Sequence, residues 1–175
     1  MYNFLKTIVI LLFVASIASC SSSKQTVIKK EGIQSIKLIA QKNIPHNLSF
    51  KNTIVGGLSG IDYDAKNQLY YLISDDRSYN NPARFYTANI RITENSIDTV
   101  QLKDVHFLLQ QNGEVYPNSK QNPTNTPDPE AIRYNPKSKQ LIWTSEGERI
   151  VKAKDTVLAN PSINMISTKG KWIQT

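Results

Sequence analysis

At 175 residues, 39% of them hydrophobic and 20% charged, the chain is long enough for one domain with a core of its own, and its composition excludes a disordered protein. Its formal charge of +7 comes from lysines and arginines scattered without a dense run, which excludes a basic stripe of the kind that binds nucleic acid. Cys20 is the only cysteine, so no disulfide can form within one molecule.

Residues 1–19 read as a bacterial lipoprotein signal peptide. Lys6 supplies the positive start, Ile8 to Val14 an unbroken apolar run, and Ile17-Ala18-Ser19-Cys20 the small residues before a cysteine. The run is shorter than the roughly 20 apolar residues that a membrane-spanning helix needs. Cys20 is the expected lipidation site, and several acyl chains there would hold the protein on a membrane. The expected location is therefore the bacterial cell envelope, outside the cytoplasm. Residues 20–30 form a polar tether. Ser21 and Lys24 have the spacing of a Ser-x-x-Lys motif, but no helix presents them.

The domain is expected over residues 31–175. Ile36 to Ala40 is a plausible first strand, broken by Pro45 and Asn47. Gly56-Gly57 then opens a stretch in which a short apolar strand leads through the polar turn Asp64-Ala65-Lys66-Asn67 into a second strand, Leu69 to Ile73. Gly57-Leu58-Ser59-Gly60 falls one residue short of a nucleophile elbow, and His46 and His106 sit in no pattern that would complete a serine triad. Arg84 to Ile90 and Ile97 to Leu109 read as further strands, and Asn112-Gly113 signals a hairpin. Residues 116–129 have no apolar pattern and make a long loop.

Asp128 to Arg149 repeats Gly56 to Arg77. Ile61 falls on Ile132, Tyr63 on Tyr134, Asp64 on Asn135, Lys66 on Lys137, Leu69 on Leu141, Tyr71 on Trp143 and Ser74 on Ser145, with one-residue slips around the turn and second strand. Each copy is a hairpin that delivers carboxylates and an arginine at its exit. The copies lie about 71 residues apart, more than the roughly 40–50 of one propeller blade, which fits one blade and a long loop or two blades. The expected fold is all-β and propeller-like. Ile150 to Leu158 has little pattern, Pro161 to Ser167 reads as a strand, and Trp172-Ile173 starts a return strand as the chain ends, so the expected propeller is incomplete at its C-terminal side.

Chemistry concentrates where these hairpins begin and end. Asp75 and Asp76 leave the first, Asp128 and Glu130 enter the second, and Glu146 and Glu148 leave it. Adjacent carboxylates raise each other's cost of ionising and are usually held by a cation, an arginine or backbone amides. Hard oxygen ligands suit Ca²⁺ or Mg²⁺, and no histidine or cysteine cluster argues for zinc. The expected metal ligands are Asp75, Asp76, Asp128 and Glu130, with Ca²⁺ as the cofactor; Asp128, Glu130 and Glu146 are the expected catalytic groups. Arg77, Arg84 and Arg149 are the expected forked donors to substrate oxygens.

Several motifs, in order, carry a resemblance: Gly57-Leu58-Ser59-Gly60-Ile61, Leu72-Ile73-Ser74-Asp75-Asp76 with Pro82-Ala83-Arg84-Phe85-Tyr86, Asp128-Pro129-Glu130-Ala131-Ile132, Ser145-Glu146 and Pro161-Ser162-Ile163. From about Ile33 onward the chain resembles the phytase-like family, "esterase-like activity of phytase". The resemblance implies a secreted, propeller-like hydrolase of phosphoesters, with a phosphorylated small molecule as substrate. It places Asp75, Asp76, Asp128, Glu130 and Glu146 at the site. Two other readings stay open: a non-catalytic surface binding module, and an inactive fragment of a longer protein.

Overall fold

The computed structural model describes residues 32–33, 35–152 and 155–175. The signal peptide, Cys20 and the tether lie outside the described residues. Of two units, Met1–Lys37 and Leu38–Thr175, the second carries every strand named below.

The described chain is all β, with no helix among the described residues. A small hairpin comes first, β1 (Leu48–Phe50) with β2 (Thr53–Val55). Next is a four-stranded antiparallel meander of β3 (Leu58–Asp64), β4 (Leu69–Ser74), β5 (Arg84–Ile92) and β6 (Ile97–Phe107). The plan then repeats with β7 (Pro129–Asn135), β8 (Gln140–Ser145), β11 (Ser162–Ser167) and β12 (Trp172–Gln174). A separate hairpin, β9 (Glu148–Lys152) with β10 (Asp155–Ala159), is inserted between β8 and β11. None of these sheets closes into a barrel.

The repeat predicted from sequence is a repeat of structure, with one correction. Ile61 pairs with Leu72 and Leu58 with Ser74, while Ile132 pairs with Trp143 and Pro129 with Ser145. The hairpins therefore superpose at one constant offset of 71 (Ile61 to Ile132, Ser74 to Ser145), and no slip is needed. Tyr71 answers to Ile142, not to Trp143. The apparent slip arises because the two sheets pack with opposite faces. The first contributes Tyr71, Ile73 and Phe85 to the shared core, and the second contributes Ile132, Leu141 and Trp143. Alternate residues of a strand point to opposite faces, so matching buried residues displaces the alignment by one. The other face of the first sheet carries Leu72, Tyr86 and Ala88, covered by Leu48 and Phe50 of the β1–β2 hairpin.

The strand expected over Ile36 to Ala40 is absent: Ile36 and Leu38 are 90% and 76% exposed, and no neighbouring strand pairs with them. Alternation alone does not make a strand without a partner. Asn112-Gly113 turns the chain with Gly113 at φ 85°, but the hairpin shrinks to one bridge, Leu109 with Val115. The poorly patterned Ile150 to Leu158 falls in β9 and β10. Val151 and Leu158 are 67% and 53% exposed on one face of this hairpin, and on the other Ile150 and Ala159 are only half-buried, so burial imposes little pattern on the described residues.

Where the sheets meet, β3 and β7 run close together. A Cβ at Gly60 would stand 3.0 Å from Ala131 Cα and from Ile132 N. The approach is fastened by Arg133 Nη1, which donates to Ile61 O at 2.9 Å, and by Tyr134 N, which donates to Asp62 Oδ2 at 2.7 Å.

Candidate metal centre

The entry to each sheet is built the same way. Asp75 N donates to Gly57 O at 2.6 Å in the first, and Glu146 N donates to Asp128 O at 3.2 Å in the second. Ser74 Oγ donates to Gly56 O at 2.7 Å, and its counterpart Ser145 Oγ accepts from Asp128 N at 2.9 Å. Gly57 holds φ 56°, and a Cβ there would meet Asp75 O at 2.8 Å. Each ladder also breaks register at its second residue, Ser59 in β3 and Glu130 in β7. Such a bulge releases one residue from pairing and re-aims its side chain. The second copy has carboxylates, Asp128 and Glu130, where the first has Gly57 and Ser59. Ser59 Oγ lies within 3.4 Å of Pro129 O, so the two bulges are neighbours.

The result is a cluster drawn from both sheets. Asp75, Asp128 and Glu130 each offer an oxygen, and these oxygens lie within 4.8 Å of one another. Burial pushes the Asp128 carboxyl up to about 6; the charges of Asp75 and Glu146 add to the rise and Arg77 opposes it. Burial likewise raises Glu130, again helped by Asp75 and Glu146. Glu146 therefore acts on the cluster electrostatically from its rim. Negative groups forced together in this way, with hard oxygen donors and no soft ligand, suit a divalent cation such as Ca²⁺ or Mg²⁺.

The three expected arginines part company. Arg77 stands at the cluster: Nη1 pairs with Glu148, and Nε lies 3.8 Å from Asp128 Oδ2. Arg84 is 2% exposed and bound to Asp76 at 2.8 Å, with Nε donating to Tyr86 Oη at 2.7 Å and Nη2 to Ile54 O at 2.8 Å. Asp76 in turn accepts from the amides of Tyr79, Asn80 and Asn81. This pair fastens the loop after β4 to β5, and Asp76 lies outside the three-carboxylate group. Arg149 is exposed on β9.

The long loop over 116–128 is part of this construction. Asn118 Nδ2 donates to Ser78 O at 2.7 Å and Tyr79 O at 3.1 Å, and Ser119 N donates to Arg77 O at 3.2 Å. Its own shape is held by the buried Thr126, whose Oγ1 donates to Asn122 O at 2.7 Å. Sequence reasoning gave Asn118 and Ser145 no role and counted Glu148 only among the exit carboxylates, not as the partner of Arg77; the repeat itself, with Ser145 opposite Ser74 and Glu148 opposite Arg77, was the available signal for the last two. A cavity of about 250 Å³ opens against Asp75, lined by His46, Asn47, Gly57 and Asn80. A larger one, about 560 Å³, lies at the far end of β3 and β7 between Lys66 and Lys139, away from the cluster.

Fold and site together define an all-β protein with an acidic cluster at the mouth of paired sheets. Residues 53–175 match the Phytase-like family, described as "Esterase-like activity of phytase", and the chain belongs to it. The match begins at Thr53, not at Ile33, and takes in both four-stranded sheets. Comparison with curated proteins and with solved structures gave no significant match.

Proposed function

We propose that this protein is a phosphoester hydrolase that works with a divalent cation, Ca²⁺ by preference. The observation that carries the reading is the meeting of Asp75, Asp128 and Glu130 beside a half-buried Arg77 that retains unpartnered donors. The three carboxylates hold the cation, which when bound supplies positive charge for phosphate oxygens and lowers the pKa of a water. Glu146 at the rim orients that water by accepting its hydrogen bond. Arg77 takes phosphate oxygens, with Arg149 available from β9 for a more distant group. The cavity beside Asp75 receives the alcohol part of the ester.

In the same reading the two meanders are successive blades of a propeller, and the close β3–β7 contact is where inner strands meet at its axis. Cys20 carries lipid and holds the protein at the cell envelope, facing outside the cytoplasm.

Hydrolysis of a chromogenic phosphomonoester tests the function. Activity is expected with added Ca²⁺ or Mg²⁺, to be lost in chelator, and to fall at least about a hundredfold in Glu130→Gln, as removal of a group acting in the transition state does. A ligand that raises the thermal midpoint without turnover would point to a binding module. Equal turnover in chelator would refute the cation's role.

A further inference from the structure

Arg77 is tied at one nitrogen and unpaired at two. Nη1 pairs with Glu148, while Nε and Nη2 are buried and have no hydrogen-bond partner among the described residues. These two nitrogens form one edge of the guanidinium plane, and their parallel N–H bonds match two oxygens of a phosphate. Asp128 does not fill that edge, since its Oδ2 stands 3.8 Å from Nε, beyond hydrogen-bond range. A buried donor left unpaired is unfavourable, so two on one edge suit the oxygens of a water or a ligand.

Both partners are fixed from behind. The Arg77 carbonyl accepts from Ser119 N, and Asp128 N is bound to Ser145 Oγ, so both backbones are held at this spacing. Glu148 opens β9 at the position that answers to Arg77 in the repeat, at the offset of 71 set by Ile61 and Ile132. The two copies thus place opposite charges at equivalent points, and these meet.

We infer that Glu148 is a positioning residue. By engaging Nη1, it turns the Nε–Nη2 edge of Arg77 toward the carboxylate cluster and leaves it unpaired, a side-on fork for two oxygens of a tetrahedral oxyanion, a phosphate or phosphate ester. The inference rests on the phosphoester reading above. It adds which arginine edge takes the phosphate, and what holds that edge in place.

The test is calorimetric titration of inorganic phosphate into the wild type and variants in the presence of Mg²⁺, with thermal unfolding of each as a check on folding. Glu148→Ala is expected to weaken phosphate binding about tenfold or more, the worth of one charge-assisted hydrogen bond. Glu148→Gln, whose side-chain oxygen still accepts from Nη1, is expected to stay within about threefold of wild type. Arg77→Lys, a point charge without the fork, is expected to lose at least as much as Glu148→Ala. Phosphate binding by the wild type that Glu148→Ala leaves unchanged would overturn the inference while sparing the phosphoester reading. A Gln variant as weak as the Ala variant, with midpoints alike, would also overturn it. No phosphate binding by the wild type would overturn both.

Discussion

Asp75, Asp128 and Glu130 sit together against the resistance of their own charge, and that resistance is measurable. Because burial and its neighbours push Asp128 up to about 6, its ionised form destabilises the metal-free protein at neutral pH. Asp128→Asn is therefore expected to raise metal-free stability by about 1–2 kcal/mol, seen as a higher thermal midpoint in chelator, while abolishing the response to cation. A lower midpoint in chelator would show that the carboxylate is structurally satisfied. The opposite sign belongs to Arg84. Truncating one member of its buried pair with Asp76 strands a charge, so Arg84→Ala is expected to cost about 3–5 kcal/mol in chemical denaturation. Arg149→Ala, on an exposed strand, is expected to stay within about 0.5 kcal/mol of wild type. These two arginines were indistinguishable in the sequence, which shows charge near carboxylates and not which way it faces. The one clue to burial was the setting of Arg84, ahead of Phe85 and Tyr86 at the start of a strand. Asp128 and Glu130 were legible as a pair because the hairpin brings its entry and exit to one end of the sheet.

At the scale of the element, the hairpin is copied in detail that composition does not reveal. Gln68 and Lys139 both hold positive φ, 51° and 56°, at the same turn position. Asp64 Oδ1 accepts from Lys66 N at 3.0 Å, and Asn135 Oδ1 accepts from Lys137 N at 3.0 Å. Although burial alone would raise the Asp64 carboxyl, its hydrogen bonds with Asn67 and Tyr134 and to the Lys66 amide hold it below the ordinary value. A folded carboxyl that releases its proton more readily than the unfolded chain stabilises the fold above the unfolded pKa, near 4, and that contribution fades as pH falls through the folded pKa. Asp64→Asn is thus expected to flatten the loss of stability below about pH 4 in acid denaturation, since it becomes the amide already present at Asn135. An unchanged acid limb would show that Asp64 contributes nothing there. The bulges at Ser59 and Glu130 were not legible, because a register break leaves no mark on alternation until both strands are paired. The one-residue error in aligning the second strands has a related cause: burial follows the packed face, and the two sheets use opposite faces.

For the whole molecule, the site exists because two sheets with one plan meet along β3 and β7, and the first copy's Asp75 is carried to the second copy's Asp128 and Glu130. The separation of those strands depends on Gly60. Adding a methyl group there is expected to cost about 1–3 kcal/mol, and Gly60→Ala should weaken cation binding with no ligand touched. The sequence foretold the paired hairpins and the all-β class, but not that one copy supplies most of the carboxylates and the other the half-buried Arg77. The most direct test of the account is thermal unfolding of the purified chain with and without millimolar Ca²⁺, beside Glu130→Gln. Ligand that binds only the folded state at a hundred times its Kd stabilises by about 2.7 kcal/mol, so a cooperative transition in the wild type should move up by several degrees and the variant's should not. A wild-type midpoint indifferent to Ca²⁺ and to Mg²⁺, or a Glu130→Gln midpoint that rises as far, would contradict a cation held by Asp75, Asp128 and Glu130.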